Sequence, residues 1–308
     1  MFKKGAFAIA AQPHIARAKR PIGVFDSGLG GLTAVRALDT LLPNEDLVFF
    51  GDTARLPYGT RSPQLIHKYL RQNIAFLQGF DIKMLVIACG TASTACLPAL
   101  GGAYPFPLLG VVEPSTRSAV KATRNGRIGL LATQAAVASG AYEKTAQALD
   151  PTVELTSQAC PLLVSLVENG RGKKGDLAAT IILQEYLQPV MEARVDTLIL
   201  GCTHFPLLSG LIAEIVGSEV ALIDSGEAVA RAAARSLPGE TLPGEAAAVE
   251  GGCVAHGAHD TCGERDTCGE RGARLYFVSD CPDRYAQNAE LFLGHPLDGP
   301  IQKVDIKG

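Results

Sequence analysis

Short apolar runs alternate with stretches of helical periodicity from about residue 21 onward. The runs Ile22–Phe25, Leu47–Gly51, Met84–Ala88, Leu108–Val112, Arg127–Ala132, Val153–Ser157, Thr197–Gly201, Val220–Ile223 and Leu275–Val278 read as strands. Between them, Leu32–Leu42, Ser62–Gly79, Ser115–Asn125, Ala135–Leu149, Asp176–Glu192 and Leu207–Val216 read as helices. Such alternation predicts an α/β fold with parallel sheets, and short continuous apolar runs predict strands buried on both faces. Two breaks interrupt the rhythm. Glu113-Pro114-Ser115 follows the fourth strand, and Asp224-Ser225-Gly226 follows the eighth. From Pro238 to Arg274 the texture turns to Gly, Pro, Glu, Cys and His. It contains a tandem repeat, DTCGER at 260–265 and again at 266–271, which reads as a local duplication in an exposed loop.

Composition narrows the class. A chain of 308 residues has room for about two domains, and 47% hydrophobic with 19% charged residues is ordinary for a globular protein with a sizeable core. The net charge of −3 leaves no basic footprint, so nucleic acid is not expected as a main partner. No apolar run approaches the roughly 18 residues of a membrane span, so no membrane association is expected. Residues 1–20 carry Lys3, Lys4 and a short apolar patch broken by Gly5, and read as a flexible extension ahead of the fold. Of the eight cysteines, Cys253, Cys262, Cys268 and Cys281 crowd the tail. A chain this large needs no disulfide framework, and reduced thiols in a cytoplasmic protein are expected.

Candidate chemistry lies just beyond the strands, where open α/β sheets collect ligands. The first such loop, FDSGLGGLTAVRAL from Phe25, is neither a dinucleotide fingerprint nor a P-loop, because Thr33 replaces the third glycine and no Lys-Ser/Thr pair follows. Its Asp26 is a poor neighbour for a phosphate and points to an amine or a proton. The second, GDTARLPYGTRS, offers a rigid Pro57-Tyr58-Gly59 turn. The third is LVIACGTAS, in which Cys89 closes a strand and precedes a helix, whose dipole is expected to lower the thiol's pKa. The fourth, LILGCTHFPLL, repeats that architecture at Cys202, with His204 two residues on as base or orienter. A buried core cysteine explains either site alone; it explains the matched pair less well. Two facing thiols could form a redox disulfide, but no C-x-x-C is present. They could bind a metal, but Cys89, Cys202 and His204 lack a clear fourth ligand. Or one thiolate removes a proton from a carbon while the opposite thiol donates one, which inverts that carbon.

The ordered segments DSGLGG, GDTARLPYGTRS, ACGTAS, GVVEPS and LGCTHFPL resemble the glutamate racemases of the aspartate/glutamate racemase superfamily, over about residues 21–230. The resemblance implies two similar open parallel-sheet domains facing each other across a cleft. The first would span 21–115, the second 116–224, with 225–308 returning to the first. It implies cofactor-independent interconversion of L- and D-glutamate, supplying D-glutamate for peptidoglycan. Cys89 and Cys202 would be the acid/base thiols, the first acting on the D-isomer and the second on the L-isomer, assisted by Asp26 and His204. Ser27, Tyr58, Gly59, Gly90, Thr91 and Thr203 would line the substrate pocket, with Asp26 and His204. In ACPLLVSLVENG the acid Glu168 would stand behind His204, although by itself it reads as a solvated helix end.

One position departs from the pattern. Gly90 stands where such sequences usually carry asparagine, and losing a hydrogen bond to a charged substrate group costs roughly 1.5–3 kcal/mol. That leaves an alternative beside the racemase: a non-catalytic or altered-specificity relative that binds an amino acid. The expected partner is a small-molecule substrate, with a homodimer allowed. In the tail, His256, His259, Cys262 and Cys268 follow no familiar ligand spacing, so no metal is expected.

Overall fold

The computed structural model describes residues 20–100, 102–237 and 271–306. The extension at 1–19, the DTCGER repeat except Arg271, and the tail residues Cys253, His256, His259, Cys262 and Cys268 lie outside the described residues.

The chain begins with β1 (Ile22–Asp26), α1 (Leu32–Leu41), β2 (Leu47–Gly51), α2 (Pro63–Gln78), β3 (Met84–Ile87), α3 (Gly90–Leu100) and β4 (Leu108–Gly110). It continues through α4 (Val112–Ala122), β5 (Arg127–Ala132), α5 (Gln134–Ala138), α6 (Ala141–Leu149) and β6 (Glu154–Ala159). Then follow α7 (Leu163–Glu168), α8 (Leu177–Glu192), β7 (Thr197–Leu200), α9 (Ser209–Val216) and β8 (Ala221–Asp224). The last described elements are α10 (Ser225–Ser236), β9 (Arg274–Val278), α11 (Pro282–Leu293) and β10 (Ile301–Lys303).

Two parallel sheets result, as the alternation predicts. The first has strand order β10-β9-β2-β1-β3-β4 and the second β6-β5-β7-β8. β1, β2 and β3 are buried along their whole length, which is why their sequences show apolar runs and no polar alternation. β9 rejoins the first sheet beside β2, pairing Phe49 with Tyr276 and Phe50 with Phe277. An aromatic stack then fastens this returning strand. Phe50 lies 5.0 Å from Phe76, and Phe76 lies 5.4 Å edge-on to Phe277.

Local chemistry sets the helix ends. The Ser62 side chain accepts from the Leu65 N–H, with Pro63 at the first helical position, so α2 starts where the sequence signals it. Asp176 caps α8 through the Ala179 N–H, and Asp224 caps α10 through Gly226 and Glu227. Several boundaries differ from expectation; β4, for one, ends at Gly110 and β6 runs on to Ala159. α4 begins at Val112, three residues early, because Pro114 falls within its first turn, where a missing N–H costs nothing. The single helix expected over 135–149 is two, α5 and α6, because Gly140 adopts φ +62° and breaks the ladder between them. β10 has only three residues on the sheet edge, too short to leave a periodic signal.

Candidate active site

The two sheets direct the carboxyl ends of their strands toward one cavity of about 340 Å³. In the first sheet β1 lies between β2 and β3, and in the second β5 lies between β6 and β7, so each sheet reverses its strand order there. Cys89 follows β3 beside β1, with Phe25 opposite Ile87. Cys202 follows β7 beside β5, with Leu131 opposite Leu200. The thiols therefore hold equivalent places in two sheets. Both line the cavity, 5% and 8% exposed.

Around Cys89 the surroundings are neutral or acidic. Its Sγ donates to Ser27 Oγ at 3.4 Å. Asp26 is fully buried behind it, not on the cavity wall. Its Oδ2 accepts from the Gly28 N–H at 3.0 Å, and its Oδ1 has no hydrogen-bond partner. Burial raises the Asp26 carboxyl, against the lowering effect of the His204 charge and of three backbone N–H groups. The Cys89 thiol is pushed up to about 12, first by burial and then by the Asp26 charge; the hydrogen bonds from Ser27 and the Ala92 backbone pull the other way. The expected lowering by the α3 N-terminus is thus present but outweighed. Desolvation of a fully buried thiolate exceeds what one backbone dipole returns.

Around Cys202 the surroundings are basic. His204 is 6% exposed, with Nδ1 3.9 Å from Cys202 Sγ and 3.4 Å from Thr203 Oγ1. Its Nε2 donates to Glu168 Oε1 at 3.1 Å, and Phe292 of α11 packs edge-on against the ring at 5.2 Å. Burial works against a charge on His204. The hydrogen bonds to Cys202 and Glu168, with the charges of Cys202 and Asp26, more than offset it and raise the imidazole toward about 10. Glu168 does end a helix, α7, and is 40% exposed, yet its carboxylate is committed to His204.

The remaining candidates divide. Ser27, Gly59, Gly90, Thr91 and Thr203 line the cavity, and Thr91 Oγ1 bridges the two sheets' loops by meeting Thr133 Oγ1 at 2.9 Å. Tyr58 also lines it, but its hydroxyl is turned away and donates to Asp52. Asp52 is fully buried and also accepts from Asn73 at 3.2 Å and from Ser279 at 2.9 Å. Tyr58 thus offers the cavity its ring rather than its polar tip. Among the lining residues not singled out from sequence are Thr133, Cys160 and Ser165. Thr133 and Cys160 directly follow β5 and β6, so the strand-end rule that found the two thiols would have found them. Cys160 is buried, and its thiol is raised to about 12 by burial and by the Cys202 charge.

A family model described as Asp/Glu/Hydantoin racemase matches residues 23–233. A glutamate racemase of Geobacter metallireducens is 40% identical over 288 residues, covering 94% of this chain and 97% of that protein. The crystal structure of a glutamate racemase isoform from Bacillus anthracis superimposes with TM-score 0.78 at 32% identity, covering 95% and 98% of the two chains. One from Francisella tularensis in complex with D-glutamate gives 0.77 at 30% identity, covering 94% and 98%. Two parallel sheets sharing a two-thiol cavity, in such company, define an isomerase of the amino-acid racemase class. The chain belongs to the Asp/Glu/Hydantoin racemase family, and the relatives it matches over nearly its whole length are glutamate racemases.

Proposed function

We propose that this chain interconverts L- and D-glutamate with Cys89 and Cys202 as opposed acid/base groups. The observation that carries the reading is one cavity holding a thiol from each sheet at equivalent strand ends, each backed by a different ionisable group. A thiolate on one side takes the α-proton, and the C–H electron pair stays on the substrate carbon, delocalised into its carboxylate. The thiol on the other side then delivers its proton to the opposite lobe of that carbon. Configuration inverts, and the two sulfurs exchange protonation states. On the second side, Nε2–H bound to Glu168 leaves Nδ1 free to take the Cys202 proton, giving a thiolate beside an imidazolium. On the first side, the arriving substrate ammonium favours the Cys89 thiolate that burial disfavours. In this reading Cys89 serves the D-isomer and Cys202 the L-isomer.

Asp26 and His204 assist the thiols, and Ser27, Gly59, Gly90, Thr91 and Thr203 hold the substrate through hydroxyl and backbone groups. The proton chemistry needs no cofactor, since both proton carriers belong to the chain. We place the division between two domains at about residues 115 and 225, with the protein in the cytoplasm supplying D-glutamate for peptidoglycan. The test is to incubate the protein with each glutamate enantiomer in deuterated water. Deuterium should enter the α-position from both sides, with inversion; no exchange from either enantiomer would sink the proposal.

A further inference from the structure

His204 acts through its two ring nitrogens, yet the contacts at those nitrogens hold the ring loosely. Nδ1 lies 3.9 Å from Cys202 Sγ, a long contact, and 3.4 Å from the Thr203 hydroxyl. Nε2 meets the Glu168 carboxylate, which is 40% exposed and therefore a compliant partner. The backbone is better fixed, because Thr33 Oγ1 donates to the Thr203 carbonyl at 3.3 Å, one residue before His204. The freedom left to restrain is rotation of the ring about its bond to Cβ.

A buried aromatic ring meets the imidazole. Phe292 lies 5.2 Å away, centre to centre, with the two planes at 83°. This is the edge-to-face arrangement that aromatic rings prefer. Phe292 is 1% exposed and belongs to the apolar cluster that also holds Leu32, Val35, Phe205 and Leu208. Its helix, α11, packs on α1 and closes at Gly294, whose N–H donates to the Glu290 carbonyl at 2.8 Å. Directly beyond, His295 Nε2 lies 3.7 Å from Asp39 of α1, and Asp298 pairs with Arg271 at 3.2 Å. The last turn of α11 is thus held in place by the cluster and by the ion pairs after it. It comes from the returning segment, outside the residues 23–233 that the family model matches.

We infer that Phe292 is a positioning residue for His204: packed edge-to-face, it fixes the ring plane so that Nδ1 addresses Cys202 while Nε2 addresses Glu168. The inference rests on the two-thiol reading above and adds to it a contribution from the returning tail. Phe292 is not among the residues lining the cavity, so it acts through the imidazole and not on a substrate. Hydrogen bonds weaken steeply as they lose alignment, and a ring free to turn takes Nδ1 off its line to Sγ. A misplacement of about 1 Å at reacting groups can cost on the order of 100-fold in rate.

The experiment compares wild type with Phe292→Leu, which keeps the position apolar and largely filled, and with Phe292→Ala. Expected for Phe292→Leu is a kcat/KM lower by about 10-fold, equally for both enantiomers, and a larger loss for Phe292→Ala. The deciding readout separates the two thiols. Alkylation by iodoacetamide, followed by mass spectrometry of the peptides carrying Cys89 and Cys202, should slow at Cys202 by about 10-fold and stay unchanged at Cys89. A merely loosened core would affect both thiols alike. In the crystal structure of Phe292→Leu the His204 ring should be turned, with Nδ1 farther from Cys202 Sγ than 3.9 Å. Unchanged alkylation at Cys202, equal slowing at both thiols, an imidazole left in place, or loss of fold in both variants each overturns the inference. If wild type acts on neither glutamate enantiomer, the functional reading fails separately, and alkylation with the crystal structure still decides the role of Phe292.

Discussion

The two thiol sites look alike in sequence and differ in charge. Cys89 and Cys202 each close a buried strand beside the strand at which sheet order reverses. Behind Cys89, however, stands a buried carboxyl with one unpartnered oxygen, and behind Cys202 stands an imidazole tied to a second carboxylate. The first pair offers no positive charge to a thiolate, so burial dominates and the Cys89 thiol is pushed up to about 12. The second holds a cation next to its sulfur, since the imidazole is raised toward about 10. The proposed reaction between mirror images would thus meet an asymmetric site, with an imidazole raised toward about 10 on one side and a protonated thiol on the other. In the proposed two-thiol reaction each turnover starts from one thiolate and one thiol, and unequal neighbours, with an imidazole beside one sulfur and a carboxyl beside the other, suit that start.

Removing either sulfur breaks this comparison most severely. Cys89→Ser and Cys202→Ser should each lower inversion by about 1,000-fold or more, in line with the contribution of a positioned acid or base. Each should retain α-deuterium exchange from only one enantiomer, and from opposite ones. Exchange from the same enantiomer in both variants would contradict opposed roles.

Replacing the stored cation should come next. His204→Asn should reduce kcat by about 100-fold. Because the enantiomers have equal free energy, kcat/KM must remain equal in the two directions, so any asymmetry will appear as kcat and KM moving together in one direction. Steady-state kinetics with each enantiomer reads this directly.

Glu168→Gln should act more mildly, by about 10-fold, because the carboxylate is 40% exposed and acts through the imidazole. Its clearer signature lies in stability against pH. His204 titrates near 6.5 when unfolded and is raised toward about 10 when folded, so its contribution is fully present below pH 6.5 and is lost as pH rises through about 10. Urea midpoints measured from pH 6 to 10 should fall less steeply in Glu168→Gln than in wild type.

The smallest effect should come from Ser27→Ala, which deletes the hydroxyl, 3.4 Å from Sγ, that donates to the Cys89 thiolate and so lowers the thiol. The alkylation rate of Cys89, followed against pH in a Cys202→Ser background, should move to higher pH. Turnover in otherwise wild-type protein should drop by only a few-fold.

Much of this was legible along the chain because burial on both faces of a parallel sheet writes itself as an apolar run. β2 and β5 fall on their expected residues, and the tips after β3 and β7 carry the thiols the pattern marked. Helix boundaries were read less well at α4, where Pro114 is harmless in a first turn, and at Gly140, whose left-handed backbone divides one periodic stretch into two. Glu168 illustrates a different limit. Its sequence context reads as a solvated helix end, and only the docking of α7 beside the Cys202 loop turns that end residue into a partner for His204.

Sequence by itself determined the α/β alternation, the strand ends and the residue types waiting there, because each follows from local periodicity and from the bare valence of a side chain. Tertiary structure alone decided the charge state those residues meet, since desolvation and neighbouring charge depend on groups far apart in the chain. It also decided the setting of Gly90: read along the chain, that residue is a missing amide; in the fold, a Cβ there would stand 2.5 Å from the Gly201 carbonyl oxygen.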